Sequence, residues 1–279
     1  MSIEFPPFGR LRPFGVADRA LLLLSVICSF FYLATQSVQP YPGGVLLKVL
    51  SIAPLAAIAF RTRREPSANP RGVERSQDRD NLILAMALAF SSLGDALLDL
   101  DPERHFIKGL LAFLAAHLIY ILLFFCNWAR PPRPKVWQLA LVAAVLVYSL
   151  LLSLWLAPSL GAVAAPVMIY VCVITVMAAS AILARFSKPW VYTGVILFLI
   201  SDSILAVDKF KSPVPLRGYL VWATYYLAQC GIAIGFLREK SGDKARSKDK
   251  SSRKRAEARV KVLRARRERI GLPPGSPRL

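Results

Sequence analysis

Charge is scarce in this sequence, and acidic charge is scarcest. Only 19% of the 279 residues are charged, with 17 Asp and Glu against 36 Lys and Arg, whereas a soluble domain carries about 25%. Histidine and cysteine are equally thin. His105 and His117 are too few for a histidine-built metal site. Cys28, Cys126, Cys172 and Cys230 lie apart in apolar runs with no CxxC spacing, which excludes a zinc finger and argues against a disulfide framework. What is there instead is apolar. Hydrophobic residues make up 55% of the chain and the mean hydropathy is +0.47. A disordered chain and an ordinary soluble fold are both excluded, and the class indicated is an all-α membrane protein.

Eight apolar stretches stand out, at 17–36, 45–60, 81–98, 107–128, 136–157, 164–184, 190–207 and 217–237. Each is near the ~20 residues that cross a hydrocarbon core. Lipid tolerates no unpaired backbone polar group, so such stretches are helices. The first is read as a retained span, because it is too long for a signal-peptide core and no small-x-small cleavage site follows it. The expected organisation is an N-terminal arm at 1–16, an eight-helix body at 17–237 and a basic tail at 238–279.

The connections are asymmetric in charge. Arg10 and Arg12 lie in the arm, six basic residues in 61–80, three in 129–135 and two in 185–189, whereas the alternate loops hold Arg104, Lys209 and Lys211. The positive-inside rule then puts both termini in the cytoplasm, and the natural setting is a multi-pass protein of a bacterial inner membrane. The tail carries sixteen Lys and Arg against five acids, a large share of the formal net charge of +19. Ala256, Val260, Leu263 and Ile270 fall near helical spacing within it, a pattern compatible with contact to anionic lipid. The plainer reading is a charged tail that enforces topology, and nucleic-acid binding is not expected.

Two spans carry carboxylates where charge is costly. The third contains Gly94-Asp95-Ala96-Leu97-Leu98-Asp99 and the seventh Ser201-Asp202-Ser203. Ionisable groups inside a membrane face the protein interior or a wet cavity, and they mark function by default. Counted from the cytoplasmic ends of their spans at 1.5 Å per residue, Asp95 lies ~21 Å deep and Asp202 ~18 Å. The two can meet at one level, whereas a lone aspartate would more simply cross-link helices. Asp99 and Ser91 lie one turn to either side of Asp95, on its face. His117 and Tyr120, one turn apart in the fourth span, and Thr224, Tyr225, Tyr226 and Gln229 in the eighth add polar groups at similar depth. Lys48, Lys108, Lys209, Lys211 and Arg217 crowd the outer side, where binding a lipid phosphate is one use and snorkelling to the interface the commoner one.

A weak internal repeat links these pieces. Lys108-Gly109 opens the fourth span and Arg217-Gly218 the eighth; His117 and Tyr226 stand eight residues after the two glycines, and Tyr120 and Gln229 eleven after. This suggests a parallel four-plus-four duplication with the site between the halves.

Gly94-Asp95-Ala96-Leu97-Leu98, followed by Phe106, Gly109, Phe113, His117 and Tyr120, resembles the first signature of the lysoplasmalogenase (YhhN-like) family. Ile200-Ser201-Asp202 through Ala206, Phe210, Pro213, Pro215, Tyr225-Tyr226 and Gln229 resembles the second. Lys48 is similar to a lysine of the family's second span. The resemblance implies an ether hydrolase that cleaves the vinyl ether of a lysophospholipid, 1-alkenyl-glycerophosphocholine or -ethanolamine, to a fatty aldehyde and the glycerophospho-headgroup. It needs no metal or organic cofactor. A vinyl ether is cleaved by protonating its outer alkene carbon, adding water to the resulting oxocarbenium ion and collapsing the hemiacetal. Two carboxyl groups close together in an apolar medium do not both ionise, so Asp95 and Asp202 can supply the acid and the base, in the manner of glycosidases. Lys48, Asp99, His117, Tyr120, Ser201, Tyr226 and Gln229 would bind or orient. A transporter or lipid-handling protein using the same carboxylates as a proton relay is the alternative, and an enzyme of related chemistry, such as epoxide opening by paired acids, a third.

Overall fold

The computed structural model describes residues 14–38, 41, 43–62, 72–101, 104–128 and 134–242. Among them are eight long helices: α1 (Val16–Ala34), α2 (Gly44–Arg61), α3 (Gly72–Leu100), α4 (Phe106–Cys126), α5 (Val136–Leu156), α6 (Ala164–Leu183), α7 (Trp190–Phe210) and α8 (Arg217–Gly242). All eight are long and apolar enough to cross a membrane. Among the described residues no strand forms, and the only extended pairing is a single bridge between Trp128 and Ala184.

The fold is the polytopic helical body expected from hydropathy, with differences at the ends. α3 begins at Gly72 rather than 81, because its first turns are polar and continue the helix beyond the apolar run. α4 ends at Cys126, and Asn127 and Trp128 turn out of it. α2 contains Pro54, which a membrane helix tolerates when neighbours satisfy the freed backbone.

Consecutive helices pack as neighbours from α1 through α4 and from α5 through α7, and α4 also packs on α6. α3 and α8 bury the largest shares of their spans, α1 and α5 the smallest. Lipid offers no hydrophobic drive for helices to associate, so close packing of small residues has to supply it. A Cβ on Gly194 would lie 2.9 Å from the Ala228 carbonyl, and one on Gly231 3.2 Å from Gly194 Cα. α7 and α8 therefore cross backbone to backbone. A Cβ on Gly94 would sit 2.6 Å from the Phe113 ring, and one on Gly109 2.6 Å from Leu98, which fixes α4 tightly against the part of α3 that carries the aspartates.

The end of the bundle where α4 passes to α5 and α6 to α7 is tied by polar staples. Trp128 Nε1 donates to the Ser180 carbonyl at 2.8 Å and the Arg185 N–H to the Asn127 carbonyl at 3.2 Å. Gln138 Nε2 donates to the carbonyl of Ile182. The chain divides into two compact units, Met1–Leu237 and Arg238–Leu279, and the second is described only through Gly242. The N-terminal arm to residue 13 and the basic tail from 243 onward, with its expected contact to anionic lipid, lie outside the described residues.

Candidate active site

The face of α3 that is pinned by Gly94 carries Asp95 and, one turn on, Asp99. α7 brings Asp202, α2 brings Lys48, and α8 and α6 bring Tyr225 and Tyr170. All six line one cavity of about 250 Å³. It lies toward the helix ends marked by Gln36, Phe106, Phe210 and Arg217, opposite the polar staples. Phe113, Leu199 and Ile174 supply apolar wall.

The two aspartates that hydropathy placed at one depth share this cavity, and their surroundings differ. Asp95 is buried, and its Oδ2 accepts the Tyr225 hydroxyl at 2.6 Å. Gln229 Nε2 donates to that tyrosine oxygen at 3.2 Å, and Tyr120 Oη donates to Gln229 Oε1 at 2.7 Å. The amide can give only from nitrogen and take only at oxygen. Every bond in the string therefore points toward Asp95, and the carboxylate at its end is an acceptor. Asp202 is half-buried, and its Oδ2 accepts the Tyr170 hydroxyl.

Asp99 is the third carboxylate. Lys48 Nζ lies 2.8 Å from Asp99 Oδ1, and Tyr32 Oη donates to the same oxygen at 3.1 Å. The ammonium also stands 5.1 Å from the Tyr32 ring centroid and 5.9 Å from that of Trp222, within cation–π range. Lys48 is thus neutralised and held beside Asp95 rather than extended to the membrane surface. A buried charge without such a partner would cost several kcal/mol.

The remaining candidates fall around this centre. Ser201 lines the cavity but spends its hydroxyl on the Val221 carbonyl at 3.0 Å, tying α7 to α8. His117 lies behind the wall. Its Nδ1 bonds the Phe113 carbonyl, which puts the proton on that nitrogen, and its ring packs edge-on against Tyr170 at 5.2 Å and Phe198 at 4.9 Å. It supports the tyrosine that serves Asp202. Tyr120 and Gln229 are fully buried and reach the cavity only through Tyr225. Tyr226 faces elsewhere: its hydroxyl pairs with Ser25 Oγ at 2.9 Å and its ring stacks on Trp222. Tyr170, Tyr32, Trp222 and Gln36 are among the cavity residues that sequence reasoning passed over.

Eight helices long and apolar enough to cross a membrane, with carboxylates lining a cavity among them, define a polytopic membrane protein. The chain belongs to the YhhN family, whose model matches residues 44–236. That range contains every residue of the cavity named above except Tyr32. Over 164 residues the chain is 34% identical to the bovine (Bos taurus) protein named lysoplasmalogenase TMEM86A. The match covers 56% of this chain and 65% of the bovine protein, slightly under two thirds of that relative's length. No solved structure matches the chain.

Proposed function

We propose that the protein is a lysoplasmalogenase-like ether hydrolase that cleaves the vinyl ether of single-chain 1-alkenyl glycerophospholipids. The observation that carries this reading is the pair Asp95 and Asp202 in one cavity with unlike surroundings. Asp95 ends a string of donated hydrogen bonds and lies one turn from the Lys48–Asp99 pair. Asp202 touches a tyrosine and no cationic side chain among the described residues. The ionised form belongs to Asp95 and the protonated form to Asp202. The name of the bovine relative supports the same substrate class.

The mechanism follows from those roles. Asp202 gives its proton to the outer alkene carbon, leaving an oxocarbenium ion between the inner carbon and the ether oxygen. Asp95 faces that cation, takes a proton from water and directs the hydroxyl to the inner carbon. The hemiacetal then collapses: its hydroxyl proton passes to Asp202, the bond to the ether oxygen breaks, and that oxygen takes the proton Asp95 had drawn from water, becoming the glycerol hydroxyl. A fatty aldehyde and the glycerophospho-headgroup result, and one proton returns to Asp202. Preorganised charge of this kind is commonly the largest contribution to a rate enhancement. His117 acts through Tyr170, Tyr120 and Gln229 through Tyr225, and Ser201 through the α7–α8 contact.

Both termini are assigned to the cytoplasm on the asymmetry of basic residues. The cavity then faces the other side. The repeat of α3–α4 in α7–α8 is kept as part of the proposal, since each pair carries one of the two aspartates assigned to the reaction, Asp95 and Asp202, and both pairs line the cavity. A second reading, a transporter or lipid-handling protein with the carboxylates as a proton relay, draws on the string from Tyr120 to Asp95. Turnover in D2O separates the two. The hydrolase releases an aldehyde carrying one deuterium on the carbon next to the carbonyl when it is trapped by reduction. Movement of substrate without any aldehyde would establish the relay.

A further inference from the structure

The cavity has a second polar region at its mouth, which the hydrolytic chemistry does not use. Three cationic side chains line the cavity: Lys48, Lys209 and Arg217. Lys48 is consumed by Asp99. Arg217 uses Nε on Asp208 Oδ2 at 3.3 Å, while Asp208 Oδ1 accepts the Val214 N–H at 3.0 Å. Those two bonds fix the α7–α8 connection and leave the terminal nitrogens of the guanidinium to a ligand. Lys209 stands 5.2 Å over the Phe106 ring and has no carboxylate partner among the described residues.

Two further donors meet there. A Cβ on Gly218 would collide with Gln36 Oε1, so the oxygen of the Gln36 amide lies on the first turn of α8 and its nitrogen is the donor left for a ligand. Gln36 Nε2 is buried, makes no close hydrogen bond, and has the Tyr32 hydroxyl as its polar neighbour. In that turn, Arg217 and Leu220 donate to the Val214 and Leu216 carbonyls. The N–H groups of Gly218 and Tyr219 remain, at the positive end of a long helix. An ammonium, a guanidinium, a buried amide and a helix start converge on one side of a cavity whose other end holds carboxylates. That donor set is matched to a phosphate, for which a planar guanidinium and helix N–H groups are well suited.

The spacing fits one molecule across both regions. Lys209 follows Asp202 by seven residues, two turns along the same face of α7 and ~10.5 Å along its axis. From the outer alkene carbon to phosphorus, an extended alkenyl glycerophosphate measures roughly 8–9 Å by ordinary bond lengths, and the lysine stem takes up the difference. We propose that Lys209, Arg217, Gln36 and the first turn of α8 form a subsite for the phosphate of a single-chain phospholipid headgroup, setting the distance between phosphate and scissile bond. The inference rests on the lysophospholipid reading above and specifies how it recognises its substrate.

The test measures binding apart from turnover. Full-length protein in nonionic detergent is titrated with hexadecylphosphocholine, with 1-hexadecylglycerol, which lacks the phosphate, and with inorganic phosphate. Affinity is read for wild type, Lys209→Gln/Arg217→Gln and Lys209→Arg. The double variant is expected to bind hexadecylphosphocholine about tenfold more weakly or worse, the scale of losing charge-assisted hydrogen bonds, and to bind hexadecylglycerol as wild type does. Lys209→Arg should retain most of the affinity. On the alkenyl substrate the double variant should raise KM more than it lowers kcat. Equal affinity of wild type and double variant for hexadecylphosphocholine would overturn the subsite. Inorganic phosphate binding as tightly as the chain-bearing probe would overturn the headgroup assignment in favour of a free anion. Charge-dependent binding without aldehyde release would keep the subsite and remove the hydrolase reading, so the two failures are distinguishable.

Discussion

Replacing Tyr225 by phenylalanine removes one oxygen from the candidate site and little else. The ring keeps its edge contacts to Phe113 at 5.8 Å and Phe198 at 5.3 Å and its tilted contact to Trp222 at 5.6 Å. What is lost is the 2.6 Å hydrogen bond to Asp95 and the acceptor for Gln229 Nε2. A hydrogen bond to a charged group contributes about 1.5–3 kcal/mol, which at 1.36 kcal/mol per tenfold is about a 10- to 150-fold loss of kcat if the bond is needed in the transition state. The stranded amide donor adds a destabilisation of about 1–3 kcal/mol. Gln229→Leu removes that donor and should act through the same string. The two changes together should therefore cost less than the sum, with a coupling energy of about 1–2 kcal/mol. Aldehyde release coupled to an aldehyde dehydrogenase gives kcat and KM, and thermal unfolding in detergent gives the stability arm. Turnover within twofold of wild type in Tyr225→Phe, or strictly additive losses in the double variant, would refute the argument that the string organises Asp95.

Further outcomes are expected elsewhere. Tyr226→Phe should lose at least tenfold less turnover than Tyr225→Phe, because its hydroxyl pairs with Ser25 rather than with a carboxylate and an ordinary neutral hydrogen bond contributes only about 1 kcal/mol. Gly94→Ala should destabilise the protein by about 1–3 kcal/mol through overpacking on the Phe113 ring, seen as a lower unfolding midpoint and a loss of activity that cooling partly restores. Lys48→Met should destabilise by about 2–4 kcal/mol by leaving Asp99 without its counter-ion, and adding Asp99→Leu should recover most of that loss; an unfolding midpoint for the double variant below that of the single one would speak against the pairing. A cysteine placed at exposed Ser212 should react with a membrane-impermeant maleimide from the non-cytoplasmic side of intact cells, while one at Lys188 should react only after permeabilisation.

Much of this architecture was legible before any coordinates. Long apolar runs have one solution in lipid, so all eight helices could be placed. The early start of α3 could not, since its first turns are polar and hydropathy is blind to a helix that continues into water. Depth counting brought Asp95 and Asp202 to one level because rise per residue is fixed, and both line one cavity. Azimuth was harder to read. Tyr225 and Tyr226 differ by about 100° around α8 and stand four and three residues before Gln229, both within a turn of it, so spacing alone does not choose between them. Tyr170 offered less signal, being one hydroxyl in an apolar helix far in sequence from either aspartate. His117 has the depth of a partner for Asp95, but its Nδ1 bonds its own helix, a local contact that sequence alone does not reveal.

The central claim is that Asp95 and Asp202 together break a vinyl ether, and the most direct test is aldehyde release from 1-alkenyl-glycerophosphocholine and -ethanolamine by the detergent-purified protein beside Asp95→Asn and Asp202→Asn. The account predicts release by wild type and a loss of at least about a hundredfold in each variant, the scale of removing an acid or base from the reaction, with unfolding midpoints showing that both remain folded. Near-normal release by either folded variant, or none from the wild type, would contradict it.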